Sequence, residues 1–391
     1  MAGFVHLRIH SRFSIGSGTL KINEIPALCI KNGMTACALT DTNLMSGTAE
    51  FSDVMPKNKI QPIVGMEISL NHHTADPKIL RESSLSKIVL LAQNQAGYLN
   101  LCELNRIMYM RHDNNHLGAH INLEELENHN EGLICLSGAH IGPLGMAVIN
   151  GQNDSAKFLA KKFSNIFGNR FYIEIQRHGL ESEIKTEPVF LEIAQELNIP
   201  IVATNDVCFA TPENYEAQDA MSCVLSQTKV IDPERPRKSS EQYFKSTEEM
   251  TELFSDLPEA IENTSVIAGR CAFMVNVREK PLLPKFAESF EQECKILRDD
   301  TMAGLAKRLD QQGITDTQPY YDQAEFELQT IINMGFPGYF LIVADYIEWC
   351  RKNDILVGPG RGSGATRCLP GSSCARDGGN DLPMRSHSHW A

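Results

Sequence analysis

No stretch of this sequence approaches the roughly 18 consecutive apolar residues of a membrane-crossing helix. The opening, Met1-Ala-Gly-Phe-Val-His6, has neither the basic leader nor the apolar run of a secretory signal. The expected location is therefore the cytoplasm, with no membrane partner. No two cysteines form a Cys-x-x-Cys pair, and the eleven present are scattered and odd in number. That spacing excludes a zinc ribbon and a disulfide framework. Cys29, Cys37 and Cys135 lie within apolar runs and are expected as small core residues. Basic residues are also scarce, 36 Lys and Arg against 49 Asp and Glu, and the net charge of −13 excludes a broad phosphate-gripping face. The one local basic run, Arg235-Pro-Arg-Lys238, reads as a solvated loop.

What is present is ordinary for a globular chain of 391 residues, 42% hydrophobic and 22% charged, with room for two or three domains. The first 210 residues or so alternate short β-rich runs with amphipathic helices. Strands are expected over 5–9, 36–40, 63–68, 88–92, 132–137, 170–175 and 199–204, with helices over 22–32, 98–110, 156–167 and 187–197. Nearly continuous apolar strands in repeated β-α units imply a parallel sheet or barrel covered by helices. His10, Asp41, Glu67 and Asp206 fall where those strands end. In α/β barrels that is the end at which sites are built.

Beyond Asp206 the pattern turns helical, over 213–225, 247–254, 259–270, 290–312, 322–334 and 339–352. A proline-punctuated stretch, 281–284, interrupts it, and a glycine-rich run, 358–364, follows it. Residues 366–391 show neither hydrophobic period and are expected to be an unrelated, disordered tail. The expected domains are thus 1–280, 281–365 and that tail. His112, His116 and His120 recur every four residues, but Asp113-Asn-Asn115 and Gly118 make the stretch loop-like, and exposed histidines are expected there.

Several segments carry a resemblance: Phe4-Val-His-Leu-Arg-Ile-His-Ser-Arg-Phe-Ser14, Ala38-Leu-Thr-Asp41, Pro62-Ile-Val-Gly65, Glu131-Gly-Leu-Ile-Cys-Leu-Ser-Gly138 and Ile201-Val-Ala-Thr-Asn-Asp206. The most specific runs from Asn333-Met-Gly-Phe-Pro-Gly-Tyr-Phe-Leu-Ile-Val343 to Val357-Gly-Pro-Gly-Arg-Gly-Ser-Gly-Ala365. In order and spacing, residues 1–365 resemble the alpha subunit of bacterial DNA polymerase III, a C-family replicative polymerase. The resemblance implies an α/β fold, a distorted β/α barrel of the PHP type followed by an incomplete α+β polymerase palm segment. Active PHP barrels hold about three metal ions, and some hydrolyse phosphodiesters as 3'-5' exonucleases.

Against that pattern the sequence departs at many ligand places. The family's His-x-His reads Arg8-Ile9-His10, and a guanidinium cannot ligate a metal. Ser17 stands for an aspartate, Thr42 and Lys87 for histidines, and Ala139 for a cysteine; the closing Asp-x-His reads Asp206-Val-Cys208. The resemblance leaves His10, Asp41, Glu67, Asp206 and Cys208 as vestigial metal positions, with Arg8 and Lys87 supplying positive charge in place of ions. No cofactor is expected in this chain, whereas Mg²⁺ is expected in the full-length family member.

The glycine-rich run is not a Walker loop, since no Gly-Lys-Ser/Thr follows. By resemblance, Gly360, Arg361, Gly362 and Ser363 are the remnant of the palm element that grips a nucleotide triphosphate. The family's paired catalytic aspartates come from an Asp-x-Asp motif downstream of it, and no Asp-x-Asp occurs in this sequence. The expectation is therefore an N-terminal fragment of a DNA-directed DNA polymerase, itself inactive, with no catalytic residue of its own. Its barrel is expected to be structural or to bind the proofreading exonuclease (epsilon) subunit; primed DNA and dNTP are partners of the full-length parent. The alternative is a free-standing PHP-class metal-dependent phosphoesterase or exonuclease.

Overall fold

The computed structural model describes residues 3–72, 85–110, 118–276 and 283–358. The chain divides into two compact units, Met1–Arg278 and Glu279–Ala391.

Among the described residues the first unit holds seven strands: β1 (Ala36–Leu39), β2 (Gln61–Asn71), β3 (Ser86–Ala92), β4 (Ile121–Asn122), β5 (Leu133–Leu136), β6 (Phe171–Ile175) and β7 (Ile201–Ala203). They form one curled sheet in the order β1-β2-β3-β5-β6-β7, with β4 attached to β2. The expected parallel pairing holds for the other strands and fails at β3, which runs antiparallel to both β2 and β5. An antiparallel neighbour needs no crossover helix, and none lies between β2 and β3 among the described residues.

The expected first strand, 5–9, is irregular. Ala38 N–H donates to His6 O and Thr40 N–H to Ile9 O, so three steps along this segment match two along β1. That mismatch is a bulge. On its other side Val207 N–H donates to Arg8 O and His10 N–H to Val207 O. The segment thus lies between β1 and the chain beyond β7, bringing the two ends of the curl together.

Strand alternation divides the core into two layers. Ile63, Val89, Leu91, Ile134, Tyr172 and Val202 pack on the concave side with Val5 and Leu7. Val64, Met66, Ile88, Leu90, Ile173 and Ala203 face the covering helices. Helix Pro258–Arg270 supplies Ile267 and Ala268 to the concave layer. Continuing each strand outward by the same parity brings Glu67, Lys87, Glu174, Thr204 and Asp206 to the concave side. The bulge gives that side Arg8 directly after Leu7, where a regular strand would alternate.

The second unit is helical among its described residues: Phe290–Gln311, Gln318–Met334 and Pro337–Lys352. Ser289 caps the first by accepting Gln292 N–H at 3.2 Å. Gly335, at φ 79°, ends the second in the left-handed region and lets Pro337 start the third at a bend of 116°. Leu297, Leu328, Ile331 and Leu341 form one buried cluster, Leu305, Leu309 and Ala324 a second, and Arg298 pairs with Glu325. No single described helix is long and apolar enough to cross a membrane.

Candidate metal centre at the barrel mouth

Arg8 stands at the centre of the polar end of the curl. Its Nη2 lies 2.5 Å from Glu67 Oε2, and its Nη1 lies 3.1 and 3.2 Å from the two oxygens of Glu174. Nε is 2.9 Å from Asp206 Oδ1 without aiming its N–H there, an ion contact rather than a directed hydrogen bond. One fully buried guanidinium therefore faces three buried carboxylates.

Each carboxylate has further partners. Glu67 Oε1 accepts from Lys87 Nζ at 2.7 Å and from Thr42 Oγ1 at 3.0 Å. Glu174 accepts from Thr204 Oγ1 at 2.5 Å, Gln176 Nε2 at 3.2 Å and the Gly138 N–H at 3.0 Å. Asp206 Oδ2 accepts from Gln242 Nε2 at 2.6 Å, and Lys238 Nζ stands 3.7 Å away. Burial alone would raise the Glu67 carboxyl, but the Lys87 and Arg8 charges outweigh it and hold the group well below the usual carboxylate range. Asp206 is likewise held low, with Arg8 and Lys238 overcoming burial. For Arg8 burial is overcome by Asp206, Glu174 and Glu67, which push it above its ordinary value.

His10 completes the group. Its Nε2 is 2.8 Å from Asp206 Oδ1 and 3.5 Å from Glu67 Oε2, and its Nδ1 is 3.3 Å from Thr42 Oγ1. One ligand atom from each of His10, Glu67 and Asp206 lies within 4.8 Å of the others. This corrects the expectation that the chain itself carries no cofactor site: a group able to hold a metal ion is present. One imidazole and two carboxylates suit a divalent ion of the zinc or manganese kind. A proton on Nδ1, held by Thr42, would turn the Nε2 lone pair to the ion. An ion held there would share Glu67 and Asp206 with Arg8.

The other sequence-derived positions fall elsewhere. Asp41 turns away and accepts from Ser11 N–H at 2.7 Å, Ser11 Oγ at 2.8 Å and Ser14 Oγ at 2.6 Å, fastening the loop after the first segment. Cys208 Sγ points to Asp206 O at 3.3 Å, and burial pushes its thiol up to about 12. Neither belongs to the ligand group. Gly360, Arg361, Gly362 and Ser363, like His112, His116 and the 366–391 tail, lie outside the described residues. His120 is buried, not exposed, with Nδ1 2.9 Å from Gly118 O.

Glu174 was the residue missed. It is a lone acid in the run Phe171-Tyr-Ile-Glu-Ile175, all of it buried, and that interruption was the available signal. The basic run 235–238 is the expected loop, with Pro236 and Arg237 exposed, but its two end residues turn inward. Arg235 Nη2 pairs with Asp219 Oδ2 at 2.5 Å, and Lys238 turns toward Asp206. Backbone strain gathers here as well. Ala139 and Asp206 take φ values of 50° and 43°, a conformation uncommon outside glycine, as found at sites that the surrounding structure holds in place.

A curled α/β sheet with histidine and carboxylates converging at its polar end defines a PHP-type domain with a phosphoesterase-type ligand group. Residues 6–178 match the family model described as PHP domain, and residues 295–369 match that of the bacterial DNA polymerase III alpha NTPase domain. The chain is 41% identical over 368 residues to the DNA polymerase III subunit alpha of Caulobacter vibrioides, covering 93% of this chain and 32% of that one. It is 39% identical over 374 residues to that of Pseudomonas fluorescens, and 37% over 372 residues to that of Rickettsia bellii. The chain belongs with the bacterial DNA polymerase III alpha subunits, carrying their PHP domain and the start of their NTPase, or palm, region. It spans about a third of the length of the curated relatives it matches.

Proposed function

We propose that this chain serves as the PHP and early palm portion of a replicative polymerase alpha subunit, whose whole-length activity is template-directed DNA synthesis on primed DNA with dNTP and Mg²⁺. The observation that carries this reading is the order of the two matched regions within an alignment covering 93% of the chain. The barrel contributes a docking body for the proofreading exonuclease (epsilon) subunit, in the cytoplasm. Co-elution of the purified chain with a purified exonuclease subunit tests that role, and separate elution at micromolar concentrations counts against it.

A second reading is favoured by the His10, Glu67 and Asp206 group. Here the barrel mouth is a metal-dependent phosphoesterase site. A bound ion would supply an acidified water, and the chain's own residues would do the rest. Thr42 orients His10, while Arg8 and Lys87 hold Glu67 ionised. Mn²⁺ titration of the metal-stripped chain, followed by hydrolysis assays on single-stranded DNA, separates the readings. Turnover lost in Asp206→Ala supports the second; ion binding without turnover leaves the first.

A further inference from the structure

We propose that Lys87 and Lys238 form an oxyanion subsite at the barrel mouth, shaped for a phosphate group. The proposal rests on the phosphoesterase-type reading of the site. Three acids, Glu67, Glu174 and Asp206, meet three fixed cations, Arg8, Lys87 and Lys238. Arg8 alone touches all three acids, and its side chain is wholly buried. The lysines differ from it in placement. Their side chains are 34% and 31% exposed, and each reaches a single acid of the group.

They also come from separate elements. Lys87 lies on β3, and Lys238 on the segment between helices Tyr215–Ser226 and Thr247–Leu253. Tyr215 Oη donates to Lys238 O at 3.1 Å, and Ser239 Oγ donates to His178 O at 3.3 Å, so the chain just after the Lys238 side chain is anchored twice. Surface lysines usually extend into water. These two turn inward onto the ligand carboxylates of the candidate centre.

Each ammonium has three donors. Lys87 donates one to Glu67, while Lys238 stands 3.7 Å from Asp206 Oδ2, beyond ordinary hydrogen-bond length, beside the Cys208 thiol. When an ion takes oxygens from Glu67 and Asp206, both ammonium groups lose counter-charge. An anion with several oxygens can then meet them and the ion together. A tetrahedral phosphate, free or within a nucleic-acid strand, has that shape and charge. Ion and phosphate binding are thereby coupled.

The test uses the full chain, Mn²⁺ as the metal, and inorganic phosphate and a short single-stranded DNA as probes, read by calorimetry. In Mn²⁺ buffer, Lys238→Met and Lys87→Met should each weaken phosphate binding by about tenfold or more, the loss expected for one charge-assisted contact. Mn²⁺ binding should persist in Lys238→Met, whose ligands are intact; this variant keeps the test sound if Lys87→Met folds poorly. Phosphate affinity unchanged in Lys238→Met, or no phosphate binding by the parent chain, overturns the proposal. Lysine-dependent phosphate binding in a chain that takes up no Mn²⁺ supports the subsite and removes the metal reading instead. Competition of phosphate with the oligonucleotide assigns the subsite to nucleic acid, and phosphate binding alone assigns it to small phosphates.

Discussion

Arg8 Nη2 lies 2.5 Å from Glu67 Oε2, with the two side chains 0% and 2% exposed. The pair ties the bulged first segment to the middle of β2, across the concave face. Two charges withdrawn from water this completely are costly unless each is matched, and removing one partner strands the other. Arg8 is matched three times over, by Glu67, Glu174 and Asp206.

Replacing Arg8 by Met should therefore cost on the order of 3–5 kcal/mol, because three acids are left against two partly exposed lysines. Urea unfolding in the presence of a chelator measures the loss. Mn²⁺ should return part of the stability to Arg8→Met, since the ion enters a group freed from its guanidinium competitor. A variant as stable as the parent chain in chelator would show that the acids simply take up protons.

Gly138 carries a different constraint on the same site. It sits at φ 83°, and a Cβ there would lie 1.7 Å from Lys87 O, while its N–H donates to Glu174. Gly138→Ala should destabilise the first unit by roughly 2 kcal/mol or more, from strain together with a displaced buried hydrogen bond. The denaturation midpoint should fall, with Gly151→Ala as the control. Gly151 has φ 74° but open space around it, so it isolates the backbone cost alone.

The alternation of strands and helices was legible because buried strands show as apolar runs, as in Leu133–Leu136 and Ile201–Ala203. The antiparallel β3 was not legible, since an apolar run looks the same in either direction. Nor was the bulge at Leu7 and Arg8, which depends on register against β1 rather than on local pattern. His10 and Asp206 were found from their places at strand ends, and Glu67 from the expected end of a strand over 63–68, although β2 runs on to Asn71. Asp41 met the same criterion, but Ser11 and Ser14 turned it into a loop fastener. Strand position fixes where a carboxylate starts, and neighbouring donors decide where it points.

Primer extension by this chain alone should stay at background. Phosphoryl transfer with two Mg²⁺ ions needs paired carboxylates, and the 391 residues contain no Asp-x-Asp. Incorporation of a labelled nucleotide on a primed template checks this. Extension that Ser363→Ala or Arg361→Ala abolishes would place the reaction in this chain after all.

The last expectation concerns acid. His6 is fully buried between Phe4 and Phe244, ring centroids 4.8 and 4.4 Å away, and its Nε2 is 2.9 Å from Lys245 O. Burial lowers its pKa from 6.5 to about 4, despite the backbone hydrogen bond that opposes the change. The folded value lies below the unfolded one, so the unfolded chain takes the proton first as pH falls. Stability from neutral His6 is complete above the unfolded value and drains away as pH drops toward the folded one. Across that window the loss reaches about 3 kcal/mol, at roughly 1.4 kcal/mol for each pH unit separating the two values. His140, also lowered mainly by burial, adds to the same slope. The depressed carboxylates Glu67 and Asp206 act at lower pH, where their unfolded counterparts begin to protonate. Urea midpoints taken from about pH 7 down to about pH 5 should thus fall in the parent chain and fall less steeply in His6→Phe. Phenylalanine forgoes the bond to Lys245 O, so the variant starts lower; the slope is the readout. Equal slopes would mean that His6 gains its proton without unfolding.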